Sequence, residues 1–126
     1  MRFVPTAVHG VIDYVWAAAL IGSPWVLGFG SSWGDAMVPV GVGLFVMFYS
    51  FFTAYEWGMF GVLTMRAHLW TDLGTGLFLA ASPWLFGFAR VVWVPHVLFG
   101  LFAVVAALVT RTTPRSAAAP PEPFPA

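Results

Sequence analysis

The chain has 126 residues, of which 60% are hydrophobic and only 8% charged, against about 25% charged residues in a water-soluble globule. Its formal net charge is zero, and it has no lysine and no cysteine. This composition cannot cover a water-facing surface, so a bilayer is the expected solvent. It also excludes nucleic-acid binding, disulfides, thiolate catalysis and thiolate metal sites.

A span needs about 20 apolar residues, and four segments qualify. The first covers residues 6–22. Arg2 ahead of an apolar run ending near Ala17-Ala18-Ala19 has the outline of a secretory signal. Asp13 inside that run, and a repeat partner further along, argue that it is a helix of the fold. A residue before proline is pushed out of the α region, so this helix is expected to stop at Ser23. Ser23-Pro24 then reads as N-cap and first position of a new turn that Gly28 ends. Trp25 suits the headgroup layer.

The second segment, residues 37–55, carries no charge. Pro39 falls in its first turn, where proline is tolerated. Its run from Phe45 to Phe52 is bulky on all sides, suited to lipid or to docking on a larger assembly. Glu56 follows at its inner end, as an interfacial acid pairing with Arg66 or as a proton donor to Asp72. The third segment covers residues 67–82, with 60–65 as an earlier possible start, and ends on Ser82-Pro83-Trp84 with Gly87 beyond. The fourth, residues 91–110, has Pro95 and His96 early in it; His96 reads as a capping or interfacial histidine. Trp33, Trp57, Trp70 and Trp93 fall near span ends. Residues 113–126 hold five prolines among alanines, a composition for neither helix nor core.

The chain repeats itself. His9-x3-Asp13-x9-Ser23-Pro24-Trp25-x2-Gly28-Phe29 returns as His68-x3-Asp72-x9-Ser82-Pro83-Trp84-x2-Gly87-Phe88, 59 positions on (68 − 9), with 8 of 21 aligned residues identical. Pro39 and Pro95 are a possible further match, though the later halves align poorly. Since a lone chain in lipid must satisfy its own backbone, the expected fold is an all-α integral membrane four-helix bundle. It would consist of two tandem parallel helical-hairpin repeats, each with a Ser-Pro-Trp interfacial elbow. Repeat 1 covers about 6–57 and repeat 2 about 61–111, within a membrane domain of residues 1–112. Arg2, Arg66, Arg111 and Arg115 fall on one side and Arg90 on the other. The positive-inside rule then puts both termini in the cytoplasm and both elbows outside the inner membrane.

The doubled Ser-Pro-Trp motif, each with an upstream His-x3-Asp, resembles the SPW-repeat family of small prokaryotic membrane proteins. The resemblance covers residues 6–110. It implies a four-helix membrane protein and no particular activity.

Residues four apart share a helix face, so His9 and Asp13 pair, as do His68 and Asp72. Each Asp lies ten residues before its Ser, about 15 Å along a helix, deep in the hydrocarbon. Groups so placed should face inward and be paired. Three uses stay open: a polar network, His9 to Asp72 and His68 to Asp13, that sets helix pairing; a cofactor site for haem, metal, quinone or pigment; and proton or ion passage. Ala18-x3-Gly22, Gly76-x3-Ala80 and Ala103-x3-Ala107 fit close helix packing. No phosphate loop, nucleophile elbow or zinc-protease motif is present. The expected function is therefore non-catalytic: a structural or accessory membrane subunit that self-associates or joins a larger complex. The alternative is a cofactor-binding or proton-conducting bundle centred on the two His-x3-Asp motifs.

Overall fold

The computed structural model describes residues 1–115. Apart from residues 113–115, the Pro/Ala-rich stretch lies outside the described residues. Four helices follow one another: α1 (Thr6–Val26), α2 (Trp33–Phe52), α3 (Met65–Leu85) and α4 (Val94–Val109). Among the described residues there is no strand, only two isolated bridges, Val4 to Thr110 and Thr53 to Leu63. α2 is long and apolar enough to cross a membrane, and α4 is a shorter apolar helix.

α1 packs closely on α2, and α3 on α4; α2 also meets α3, while α1 and α4 barely touch. α1 and α3 therefore stand diagonally across the bundle. The main core is Trp16, Ala17, Leu20, Val42, Val46, Tyr49 and Leu79. Two glycines let backbones approach. A Cβ on Gly43 would lie 2.8 Å from the Ala17 carbonyl oxygen, and one on Gly76 would lie 2.7 Å from that of Gly100. The expected stripes hold for Gly76, Ala80 and Ala103, all of which line the Gly76–Gly100 contact. They fail for Ala18 and Gly22: Ala18 is exposed, nothing lies against Gly22, and Ala17 takes the contact instead.

The elbows differ from expectation. α1 does not stop at Ser23, nor α3 at Ser82; each helix carries its Ser-Pro pair inside its final turns, to Val26 and Leu85. The serines are not N-caps. Proline has no N–H for the carbonyl four residues back, which is Leu20 for Pro24 and Leu79 for Pro83. The Ser23 hydroxyl donates to the Leu20 carbonyl at 2.8 Å, and Ser82 donates to Leu79 at 2.7 Å. Each serine thus supplies the donor its proline lacks, and the helix continues. The glycine reading stands: Gly28 and Gly87 have φ of 70° and 75°, the left-handed conformation that ends helices. The Phe29 N–H closes back on the Pro24 carbonyl at 2.9 Å, and the Ala89 N–H on that of Pro83 at 2.9 Å.

At the opposite end the helix termini are closed twice by the same bonds. Phe3 and Val4 donate to the Val109 carbonyl, and Arg111 donates to Val4. Likewise Val62 and Leu63 donate to the Phe52 carbonyl, and Ala54 donates to Leu63. The final carbonyls of α4 also receive the Arg2 guanidinium, at Ala107 (3.0 Å) and Thr110 (2.6 Å). A cation there also suits the negative end of the helix dipole.

Candidate functional site: a buried His–Asp square

His9 lies in the first turn of α1 and His68 in that of α3, their N–H groups bonded to the Pro5 and Thr64 carbonyls at 3.0 and 2.9 Å. One turn on stand Asp13 and Asp72. All four side chains are buried, none more than 5% exposed. They meet in the gap between the diagonal helices. His9 Nε2 lies 3.1 Å from Asp13 Oδ1 and 2.9 Å from Asp72 Oδ2. His68 Nε2 lies 3.0 Å from Asp13 Oδ2 and 3.2 Å from Asp72 Oδ2. The expected pairings within a helix and across the bundle thus occur together. They are not equivalent: His9 to Asp72 is an aligned hydrogen bond, whereas His68 Nε2 points between the carboxylates and is aligned with neither.

A second layer holds the square. Thr53 Oγ1 sits 2.7 Å from His68 Nδ1, and Thr110 Oγ1 sits 2.8 Å from His9 Nδ1. Each threonine hydroxyl also donates to the carbonyl four residues back, Tyr49 at 2.8 Å and Ala106 at 2.6 Å. A hydroxyl has one hydrogen. With that hydrogen spent on the helix, each oxygen accepts from its imidazole, so the network assigns the ring hydrogen to Nδ1. Both Nε2 atoms then face carboxylate oxygens. A bare nitrogen against a carboxylate is repulsive, so each histidine shares one further hydrogen with the acids. Two such hydrogens and two carboxylates leave the square with no net charge, as burial in an apolar bundle demands.

The carboxylates have their own donors. Tyr49 donates to Asp72 Oδ1, and Tyr55 donates to Asp13 Oδ2 at 3.1 Å. The hydroxyl-to-carbonyl bonds align Tyr49 with Ala106, so the second hairpin has no phenol at the matching place. A cavity of about 20 Å³ lies there, bordered by His9, Asp13, Asp72, Tyr49 and Ala106, enough for about one water. His9 and His68 stand edge to face with ring centroids 5.5 Å apart and the acids between them.

Thr53, Thr110, Tyr49 and Tyr55 were not legible as site residues. The repeat at a constant offset of 59 stops after the first helix. The threonines lie 57 apart (110 − 53), and at that offset Gly43-Leu44-Phe45 matches Gly100-Leu101-Phe102. Pro39 and Pro95 therefore do not correspond, and Pro39 lies in the second turn of α2, which begins at Trp33.

Two other expectations change. Glu56 does not pair with Arg66. It accepts from the Thr6 hydroxyl at 2.9 and 2.8 Å and from the Arg115 N–H at 3.0 Å. Burial works to raise its pKa, but hydrogen bonds from its own backbone, Thr6 and Arg115 outweigh it, and the carboxyl titrates below the usual glutamate range. His96 is packed inside the bundle rather than exposed at a helix end. It is 1% exposed and lies between Phe29 and Phe88, with ring centroids 5.4 and 4.9 Å away. Its Nε2 donates to the Asp35 carbonyl at 3.1 Å. This ties the start of α4 to the start of α2 and to the phenylalanines that follow both elbow glycines.

The family model for the SPW repeat domain matches residues 7–110. No curated protein and no solved structure matches the chain.

Proposed function

The chain belongs to the SPW repeat domain family, and from that premise we propose that it is a non-catalytic, multi-pass protein of the cytoplasmic membrane. In this reading it is a structural or accessory component whose two hairpins are locked together by the His–Asp square. The observation that carries the membrane assignment is an inverted polarity. His9, Asp13, Asp35, His68, Asp72 and His96 are buried, while Val15, Phe48, Phe78, Leu98, Leu101 and Phe102 are exposed. That is the pattern of a bundle whose solvent is lipid. The exposed Trp25 and Trp84 at the ends of α1 and α3 suit a headgroup layer. The arginine distribution supports cytoplasmic termini and outer elbows. The matching bonds at the two helix-end closures support a parallel repeat, with its pseudo-two-fold axis along the membrane normal.

The lock works by penalty more than by attraction. A hydrogen bond between helices in a bilayer contributes about 0.6 kcal/mol on average. A buried charge left unpaired costs about 3–5 kcal/mol, so any pairing of the hairpins that separates the four side chains is disfavoured. The α1–α4 side remains open as an apolar groove of about 630 Å³ lined by Val11, Val15, Ala19, Leu98, Phe99 and Phe102 among others, which supports association with a further helix. Native mass spectrometry after mild extraction from the protein's own membrane tests this role. A homo-oligomer or a complex with another membrane protein is the expected result; a bare monomer would overturn the subunit role.

A further inference from the structure

We propose that the His–Asp square is a binding site for one divalent first-row transition-metal ion. His9 Nε2, His68 Nε2 and one oxygen each from Asp13 and Asp72 all lie within 4.8 Å of one another. Tetrahedral bonds of about 2.0–2.1 Å put neighbouring ligand atoms about 3.3–3.4 Å apart. With Asp13 Oδ2 as that residue's ligand atom, the His–Asp edges of 2.9, 3.0 and 3.2 Å need open by only a few tenths of an ångström to admit an ion.

Three independent features point the same way. First, His68 Nε2 is fully buried, aimed between the two acids and aligned with no acceptor. A hydrogen on Nε2 aimed between two carboxylates makes no well-aligned bond to either, whereas an ion at the centre of the square lies on that direction. Second, each imidazole gives its Nδ1–H to a threonine oxygen, the outer hydrogen bond that orients metal-ligating histidines and raises their basicity. Tyr49 and Tyr55 hold the carboxylates in the same manner. Third, the small cavity beside Ala106 borders His9, Asp13 and Asp72, which leaves these side chains room to move apart as an ion enters.

The donor set selects the class of ion. Two imidazoles and two carboxylates suit zinc, manganese, iron, cobalt or nickel, while Cu(I) favours sulfur. Calcium takes about six to eight oxygens, and magnesium keeps several waters. Charge also closes. Two carboxylates balance one divalent ion, as they balance the two shared hydrogens, so exchange leaves the buried site neutral. Each ion bound therefore displaces two protons.

Calorimetry on tag-free, chelator-treated protein in detergent tests this, with Zn²⁺ titrated in two buffers of different ionisation enthalpy. One ion bound per chain with two protons released is expected, with the apparent affinity rising about hundredfold per pH unit, as two displaced protons require. Binding without proton release, or no binding, overturns the proposal. Co²⁺ on the unaltered protein gives a second readout that no variant's folding can confuse: intense visible bands mark a tetrahedral site, and weak octahedral bands alone count against it. His68→Gln should abolish high-affinity binding, and binding that survives in a folded His68→Gln protein assigns the ion elsewhere. These readouts are independent of the subunit role, which is read from assembly mass.

Discussion

Ser23 gives its hydroxyl hydrogen to the Leu20 carbonyl at 2.8 Å, the acceptor that Pro24 leaves without its usual helical donor. The same relation joins Ser82 to Leu79 ahead of Pro83. The Ser-Pro pair is thus a unit in which one residue repairs what the next removes. This lets α1 and α3 reach their Trp and Gly without a break.

The repair is measurable as a coupling. Ser23→Ala should cost about 1–3 kcal/mol, the penalty for a buried carbonyl left without a donor. In a Pro24→Ala background the alanine N–H serves Leu20, and the same change should cost much less. Unfolding in mixed detergent of the two single variants and the double variant gives the coupling; equal costs in both backgrounds would show that the hydroxyl does not replace the missing N–H.

Gly43 and Gly41 sit on one helix and should answer oppositely to alanine. A Cβ at Gly43 meets the Ala17 carbonyl and Ile21 at 2.8 Å, whereas one at Gly41 meets nothing within 4 Å. Gly43→Ala should destabilise by about 1–3 kcal/mol through overpacking. Gly41→Ala should be neutral or stabilise by up to about 1 kcal/mol from helix propensity. Thermal melts in one detergent compare them directly.

Thr53 and Thr110 should act as positioning residues for His68 and His9. Thr53→Val leaves a buried imidazole N–H without an acceptor, which costs about 1–3 kcal/mol, and should weaken Zn²⁺ binding about 10–100-fold. Thr53→Ser keeps the oxygen and should restore both. A nitrogen NMR spectrum of the imidazoles should show hydrogen on Nδ1 in the original protein and a disturbed His68 signal in the valine variant.

Glu56 predicts a dependence on acid. Its carboxyl titrates below the usual glutamate range because the bonds from its own backbone, Thr6 and Arg115 outweigh burial. A depressed value in the fold means that its contribution is fully present above the ordinary glutamate pKa and is lost as pH falls through the lower, folded value. Melting temperatures from pH 3 to pH 6 should therefore fall more steeply on acidification for the original protein than for Glu56→Gln. Parallel curves would show that Glu56 holds Thr6 no more tightly than solvent does.

The sequence by itself determined four helices, their order and the four residues at the centre. Hydropathy sets the helices, because an apolar chain must close its backbone bonds internally. A His and an Asp four apart on each of two matched segments must share a face. The glycine after each elbow was legible for a similar reason, since its left-handed backbone is a local property. Only the tertiary structure decided the rest. Proline's local preference predicts a break at Ser23, yet the cost depends on whether the Leu20 carbonyl finds another donor, and the serine rotamer settles that. Thr53, Thr110, Tyr49 and Tyr55 look like ordinary helix-end residues until the bundle brings them to the histidines and acids of other segments. His96 likewise becomes a core residue only where Phe29 and Phe88 close over it. Contacts so distant along the chain leave no periodic trace, because the loops that bring them together set an offset of 57 where the first helices keep 59.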